Sequence, residues 1–384
     1  MNADSLMGFS ITDKHYQQLI AFLRGEGSSI ATDDLNWDVL VTLAEKERVA
    51  ALIYDACKQN LISIPARARQ RLTNVYYYTL ATNLRRFTML GGVLELFKTA
   101  GISTIVLKGG ALAQCIYRQI SVRPMVDIDL FVKLEDTERA IALLSNAGFQ
   151  EGGKPELRRG FDQEFRVEKE LLSPRPARQM VEIHWRLIGP PFACRFVDHS
   201  AIWRRAAPVE IEGKPTNVLG AEDWILHQAA HAVYKHRHIS LLDLCDVDRL
   251  IRHFGAHIDW ETLLQVGEQF HWLPALAIVL ERVADLFGTP IPASVIARAH
   301  AFRLTGLDRQ LIDWWLTPGR AERHHIIPDW ITAPSVAARA RFVWAYLAPS
   351  RAYIDAVYAP QSVWQLPRLY LARLWREAGS AHPR

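Results

Sequence analysis

Two carboxylates, Asp127 and Asp129, stand two residues apart in the stretch Val126–Val132. The stretch alternates. A strand here puts Val126, Ile128, Leu130 and Val132 on one face and Asp127, Asp129 and Phe131 on the other. Neighbouring carboxylates in apolar surroundings repel each other and need a strong positive partner. A divalent cation with oxygen ligands is the natural one, and Mg²⁺ commonly brings substrate phosphates with it. Upstream, Ile102, Ile105, Val106 and Leu107 read as a short buried strand broken at Lys108-Gly109-Gly110, and Ala111–Arg118 has the composition of a helix. A glycine turn opening a helix offers backbone N–H groups to phosphate. These residues together describe a metal-dependent phosphoryl- or nucleotidyl-transfer site.

Further along, Phe165–Leu172 and Gln179–Leu187 are strand-like runs joined by the loop SPRPAR, the pattern of a hairpin. In the second run Val181, Ile183, Trp185 and Leu187 share one face, while Glu182, His184 and Arg186 share the other. Glu182 is then either a third acid for the site or an exposed glutamate paired with Arg186. His184 points the same way, to bind phosphate, orient a carboxylate or hydrogen-bond within the site. Arg123 either contacts phosphate or pins its loop against a carboxylate. Lys108 is a flexible point charge suited to a triphosphate.

The order strand, Lys-Gly-Gly, helix, Arg-Pro-Met-x-Asp-Ile-Asp-Leu resembles the polymerase β-type nucleotidyltransferase superfamily. More closely it is similar to the bacterial family of uncharacterised nucleotidyltransferases, with leucine-lysine-glycine, a tyrosine-bearing helix, then arginine and Asp-x-Asp. Glu182–Trp185, EIHW, resembles that family's acidic-x-His-Trp strand. The resemblance runs from about Trp37 to Leu286. It implies an α+β fold, a polymerase β-like mixed sheet with N-terminal and C-terminal helical regions. It also implies Asp127, Asp129 and Glu182 as catalytic, metal-holding acids. Lys108, Gly109, Gly110, Arg123 and His184 would be nucleotide contacts. The implied reaction moves a nucleotidyl group from a nucleoside triphosphate, ATP by default, to an acceptor hydroxyl with Mg²⁺ (or Mn²⁺), releasing pyrophosphate. The acceptor stays open among small molecule, peptide, protein and RNA.

Three rival readings stand beside it. The same acids could serve a phosphohydrolase or nuclease with water as nucleophile. The fold could persist as a non-catalytic nucleotide-binding protein. Finally, His227 and His231 have the i, i+4 spacing of a zinc-binding helix, without the glutamate of HExxH. The alternative for that helix is a lining of the nucleotide cleft, with Lys235 as a phosphate contact. Asp243 and Asp246 read as caps or salt-bridge partners.

The elements that must position these residues follow from periodicity. Thr12–Leu23, Trp37–Lys58 and Pro65–Thr99 are helical in spacing, with Asp33, Asp34 and Asn36 as caps and a bend at Gly91-Gly92. Tyr76, Tyr77 and Tyr78 read as a packing cluster. Phe149–Glu151 begins an edge strand, and Val209–Val218 turns at Gly213. From Ala221 the pattern is helical, punctuated by Pro and Gly. The expected organisation is a helical region 1–100, a nucleotidyltransferase core 101–219, a helical domain 220–332 lining the cleft, and a basic, aromatic helical segment 333–384. That last segment reads as a helical cap with aromatics inward, the rival being an RNA, polymer or anionic-membrane surface.

Composition sets outer limits. The chain is 49% hydrophobic and 22% charged with a net charge of +4, ordinary for a soluble protein and too weakly basic to imply nucleic acid. Four scattered cysteines form no CxxC pair, which fits a reducing cytoplasm. The polar N-terminus shows no signal-peptide pattern, and no apolar run is long enough to span a bilayer.

Overall fold

Short aliphatic runs supply seven strands of a mixed sheet: β1 Thr104–Val106, β2 Asp127–Val132, β3 Gln150–Glu151, β4 Glu168–Leu172, β5 Met180–His184, β6 Ala207–Ile211 and β7 Lys214–Val218. Helices make up most of the rest, so the class is α+β. The structure, a computed structural model, describes residues 6–10, 12–27, 35–317, 326–359, 365, 368 and 370. The chain divides into two compact units, Met1–Phe131 with Asp198–Phe302, and Val132–Val197 with Arg303–Arg384.

In the first unit β6 and β7 form an antiparallel hairpin, and β7 lies parallel to β1 through the Ile105–Asn217 register. The Leu107 N–H donates to the Asp129 carbonyl at 3.0 Å, holding β2 beside the end of β1. The expected turn at Gly213 is present, with φ values of 51° at Glu212 and 68° at Gly213. A long helix, Ala66–Thr99, runs unbroken through Gly91 and Gly92. Gly91 sits against Glu212, whose Cβ would be 3.2 Å from an added Cβ, so its smallness serves packing and the helix is not interrupted there.

The expected continuous helix over Trp37–Lys58 is instead two, Trp37–Lys46 and Ala50–Gln59. Asn36 caps the first, its side chain accepting the Val39 N–H; Asp33 and Asp34 lie outside the described residues. Between the helices Arg48 adopts a left-handed φ of 61°. The adjoining Glu47 carboxylate is buried and accepts the Tyr16 hydroxyl at 3.0 Å and the Leu241 N–H at 3.1 Å. A buried carboxylate needs such donors, and meeting them here turns the chain. Of the three tyrosines, Tyr76 packs against Tyr54 and edge-on against Tyr77, so the expected cluster is present in part; Tyr77 and Tyr78 are otherwise exposed.

The second unit carries the antiparallel run β3, β4, β5, with Glu168 opposite His184 and Glu170 opposite Glu182. The hairpin expected across SPRPAR is the one observed, but its first strand starts at Glu168. Phe165 ends a short helix, Phe161–Phe165. Phe161 and Phe165 pack with Phe342 and Tyr346 of the helix Val336–Leu347, and Tyr353 joins the same apolar cluster. The described aromatics of the C-terminal segment thus mostly turn inward, Trp344 being exposed; Trp364 and Trp375 lie outside the described residues. No described helix is long and apolar enough to cross a membrane. All four cysteines are free.

Candidate active site

Lys108 opens a short helix, Lys108–Ala111, which widens into a π-type turn over Leu112–Ile116. The glycines therefore lie inside the helix and not ahead of it. Both are buried, and the reason is local packing. A Cβ on Gly109 would meet Arg123 Nη1 at 2.6 Å and Met125 Cβ at 2.8 Å; one on Gly110 would meet Val106 Cγ1 at 3.1 Å. Lys108 itself has a left-handed φ of 45°, a strained conformation for a residue with a side chain. Its Nζ reaches Asp129 Oδ1 at 2.6 Å, with the lysine side chain 14% exposed and that of the aspartate 1%. The buried Asp129 carboxylate thus faces a cation of the chain's own. Asp127, on the same face by alternation, is half-buried.

Arg123 is turned inward. Its Nη2 and Nε meet the two carboxylate oxygens of Asp246 at 2.7 and 3.3 Å, and its Nη1 donates to the Pro124 carbonyl. Of the two expectations for Arg123, pinning its loop against a carboxylate is the one seen. Tyr117 is buried and donates its hydroxyl to Asp246 at 2.8 Å.

The helix Ala221–Ala230 continues into a π-type turn, His231–His236, and carries three histidines ring against ring. Ring centroids are 5.8 Å apart for His227 and His231 and 4.4 Å for His231 and His236. Burial, then the positive charges and rings around it (Lys108, His236, His227, Lys235), push the His231 pKa well below its usual value. It is a neutral hydrogen-bonding group near neutral pH. Among the described residues these histidines belong to no group of three that could hold a metal ion.

In the second unit, strand β5 places Glu182 and His184 on one side, His184 Nε2 lying 3.2 Å from Glu182 Oε2. On the paired strand, Glu168 Oε2 is 3.4 Å from His184 Nδ1. The imidazole, 1% exposed, is therefore set between two carboxylates. Arg186, suggested as a partner for Glu182, instead donates to the carbonyls of Arg166 and Glu164. Within the second unit Glu182 and His184 are both buried and offer a carboxylate oxygen and an imidazole nitrogen; within the first, Asp129 offers a buried carboxylate. Two carboxylates and an imidazole suit a divalent cation; the oxygens match Mg²⁺ and the nitrogen is tolerated by Mn²⁺.

Sequence reasoning passed over Asn83 and Arg48, which reach the carbonyls of Ile120 and Arg123 and of Pro124; nothing in an ordinary amphipathic pattern marks out contacts so far along the chain.

Residues 33–288 match the family described as uncharacterised nucleotidyltransferase. No curated protein matches. Among solved structures the chain is similar to an antigenic nucleotidyltransferase-like protein from Paracoccidioides brasiliensis, at 14% identity and a TM-score of 0.35, over 55% of this chain and 95% of that one. The matched span takes in well over half the chain, including Lys108, Asp127, Asp129, Glu182 and His184. The chain belongs to the uncharacterised nucleotidyltransferase family.

Proposed function

We propose that this chain transfers a nucleotidyl group from a nucleoside triphosphate to an acceptor hydroxyl and releases pyrophosphate, with ATP as the default donor. The observation that carries the reading is the Asp129 carboxylate, 1% exposed and opposed by the Lys108 ammonium at 2.6 Å. A carboxylate taken out of water keeps its charge where a cation or hydrogen-bond donors are close by, and here the partner is a cation. It is the second acid of the Asp-x-Asp pair within the matched span.

In this reading Asp127, Asp129 and Glu182 hold the divalent cation, Mg²⁺ or Mn²⁺, with His184 beside them. When bound, such a cation neutralises triphosphate charge and acidifies the attacking hydroxyl. Glu182 accepts the acceptor's proton, and His184 orients Glu182 through its Nε2 contact. Lys108 neutralises Asp129 before substrate arrives. Gly109 keeps the backbone close to Arg123 and Met125, and Gly110 keeps it close to Val106, which sets the position of the loop. The Arg123–Asp246 pair keeps the turn before β2 in place, so the acids are presented in a set geometry.

The direct test supplies each α-labelled nucleoside triphosphate with Mg²⁺ or Mn²⁺ and a cell extract, then locates the label. Label on an acceptor with pyrophosphate released supports the reading. Release of inorganic phosphate or free nucleotide with no labelled acceptor would point to hydrolysis and overturn it.

A further inference from the structure

The helix Ala66–Thr99 lies along the turn that leads into β2. Asn83 donates from Nδ2 to the carbonyls of Ile120 and Arg123 at 2.6 and 2.9 Å, which fastens that helix face to the turn. Arg86 is one helical turn further on, on the same face. It is half-buried, makes no salt bridge among the described residues, and its Nε is buried without a hydrogen-bond partner. On another element, at the left-handed corner between the Trp37–Lys46 and Ala50–Gln59 helices, Arg48 brings Nη2 to 3.5 Å from the Pro124 carbonyl. It too makes no salt bridge among the described residues. Asp127 acts electrostatically on both guanidinium groups.

Two permanently charged forks therefore flank the segment Pro124–Asp127 without a carboxylate seated on either. Arg123, the residue before Pro124, is already engaged by Asp246 and the Pro124 carbonyl. Asp127 is the carboxylate that both forks share; Arg48 also feels Asp243 and Asp246, the latter held by Arg123. Guanidinium forks match phosphate oxygens two at a time, and partial burial strengthens such contacts. We propose that Arg86 and Arg48 form a polyphosphate-binding site on the Asp127 side of the active site, for the triphosphate tail of the nucleotide. The proposal rests on the nucleotidyl-transfer reading above. It differs from that reading in being testable without any reaction.

Inorganic tripolyphosphate is titrated into the full chain by calorimetry without divalent cation. Arg86→Gln and Arg48→Gln should each weaken binding about ten- to hundredfold, the usual worth of a hydrogen bond to a charged group. Arg86→Lys should restore part of the loss, since charge returns without the fork. Arg85→Gln, an exposed neighbour on the same helix, should change affinity less than about threefold. Thermal melts of each variant show that the fold is kept, and Arg48→Gln, at an exposed side chain, carries the test if Arg86→Gln does not fold. Unchanged affinity in both glutamine variants, an equal loss in Arg85→Gln, or no binding by the unaltered chain would overturn the site. Loss of label transfer with tripolyphosphate binding intact would instead fall on the reaction assigned above.

Discussion

Arg123 and Asp246, far apart in sequence, meet as a buried two-pronged ion pair at 2.7 and 3.3 Å. Burial alone would lower the arginine pKa; the Asp246 charge and hydrogen bond outweigh it and raise it. Asp246 also accepts the Tyr117 hydroxyl and lies 3.4 Å from the Gln228 amide nitrogen. One carboxylate thus ties the helix Leu241–Phe254 to the segment between Lys108 and β2. Removing one member of a buried pair leaves the other charge uncompensated, at a cost of about 3–5 kcal/mol. Asp246→Ala should therefore lower the urea midpoint strongly, while Asp246→Asn, which keeps an oxygen for Tyr117, should lower it less. Equal stability of Asp246→Ala and the unaltered chain would show that the pair is not structural.

Gly109 gives a second, independent test. An added methyl group there would overlap Arg123 Nη1 and Met125 Cβ, and Arg123 cannot retreat without leaving Asp246. Overpacking of this kind typically costs about 1–3 kcal/mol. Gly109→Ala should destabilise the chain by that order, and Gly110→Ala, facing the Val106 methyl at 3.1 Å and Leu90 Cδ2 at 3.9 Å, should cost less. The ranking by thermal melting decides the point. A Gly110→Ala loss larger than that of Gly109→Ala would contradict it.

The fold elements around the site were legible wherever one-dimensional pattern decides the outcome. Alternation placed Glu182 with His184 on one side of β5, and the loop between Leu172 and Met180 announced the hairpin. Long-range polar contacts were not legible in that way. Trp37–Lys58 reads as one helix because helical periodicity continues across it; the break at Arg48 follows from Glu47 bonding to Tyr16 and to Leu241. Lys108 reads as a phosphate ligand because its spacing gives no hint that Asp129 lies 2.6 Å away. Gly109 and Gly110 read as a phosphate turn, yet Gly109 faces Arg123 and Met125 and Gly110 faces Val106. Pattern thus names the chemistry, while the partners of each charge come from residues far along the chain.

Asp329 predicts a pH effect on stability. Burial pushes its carboxyl from 3.8 up to about 7, against the Phe192 N–H and the charges of Arg166 and Arg186. Between those two values the folded chain keeps a proton that the unfolded chain has released. Stability therefore falls as pH rises through that window, and the penalty is complete above it. Asp329→Asn removes the ionisation. Relative to the unaltered chain it should gain melting temperature at about pH 8 and show little difference at about pH 4. A gain of the same size at both pH values would mean that the carboxyl titrates normally.

The acids of β2 give the functional prediction. Asp127→Asn and Asp129→Asn keep side-chain shape but remove the negative charge on which cation binding depends. Each should reduce label transfer from α-labelled nucleoside triphosphate to background and weaken Mn²⁺ binding measured by paramagnetic resonance. The amide oxygen that Asp129→Asn introduces can still accept from Lys108 Nζ, so the far-ultraviolet spectrum should be unchanged and the melting temperature only modestly lower. Because Asp129 is buried beside Lys108 while Asp127 is half-buried, the stability loss should be larger for Asp129→Asn than for Asp127→Asn. Substantial transfer by either folded variant, with Mn²⁺ binding retained, would remove both acids from the catalytic assignment.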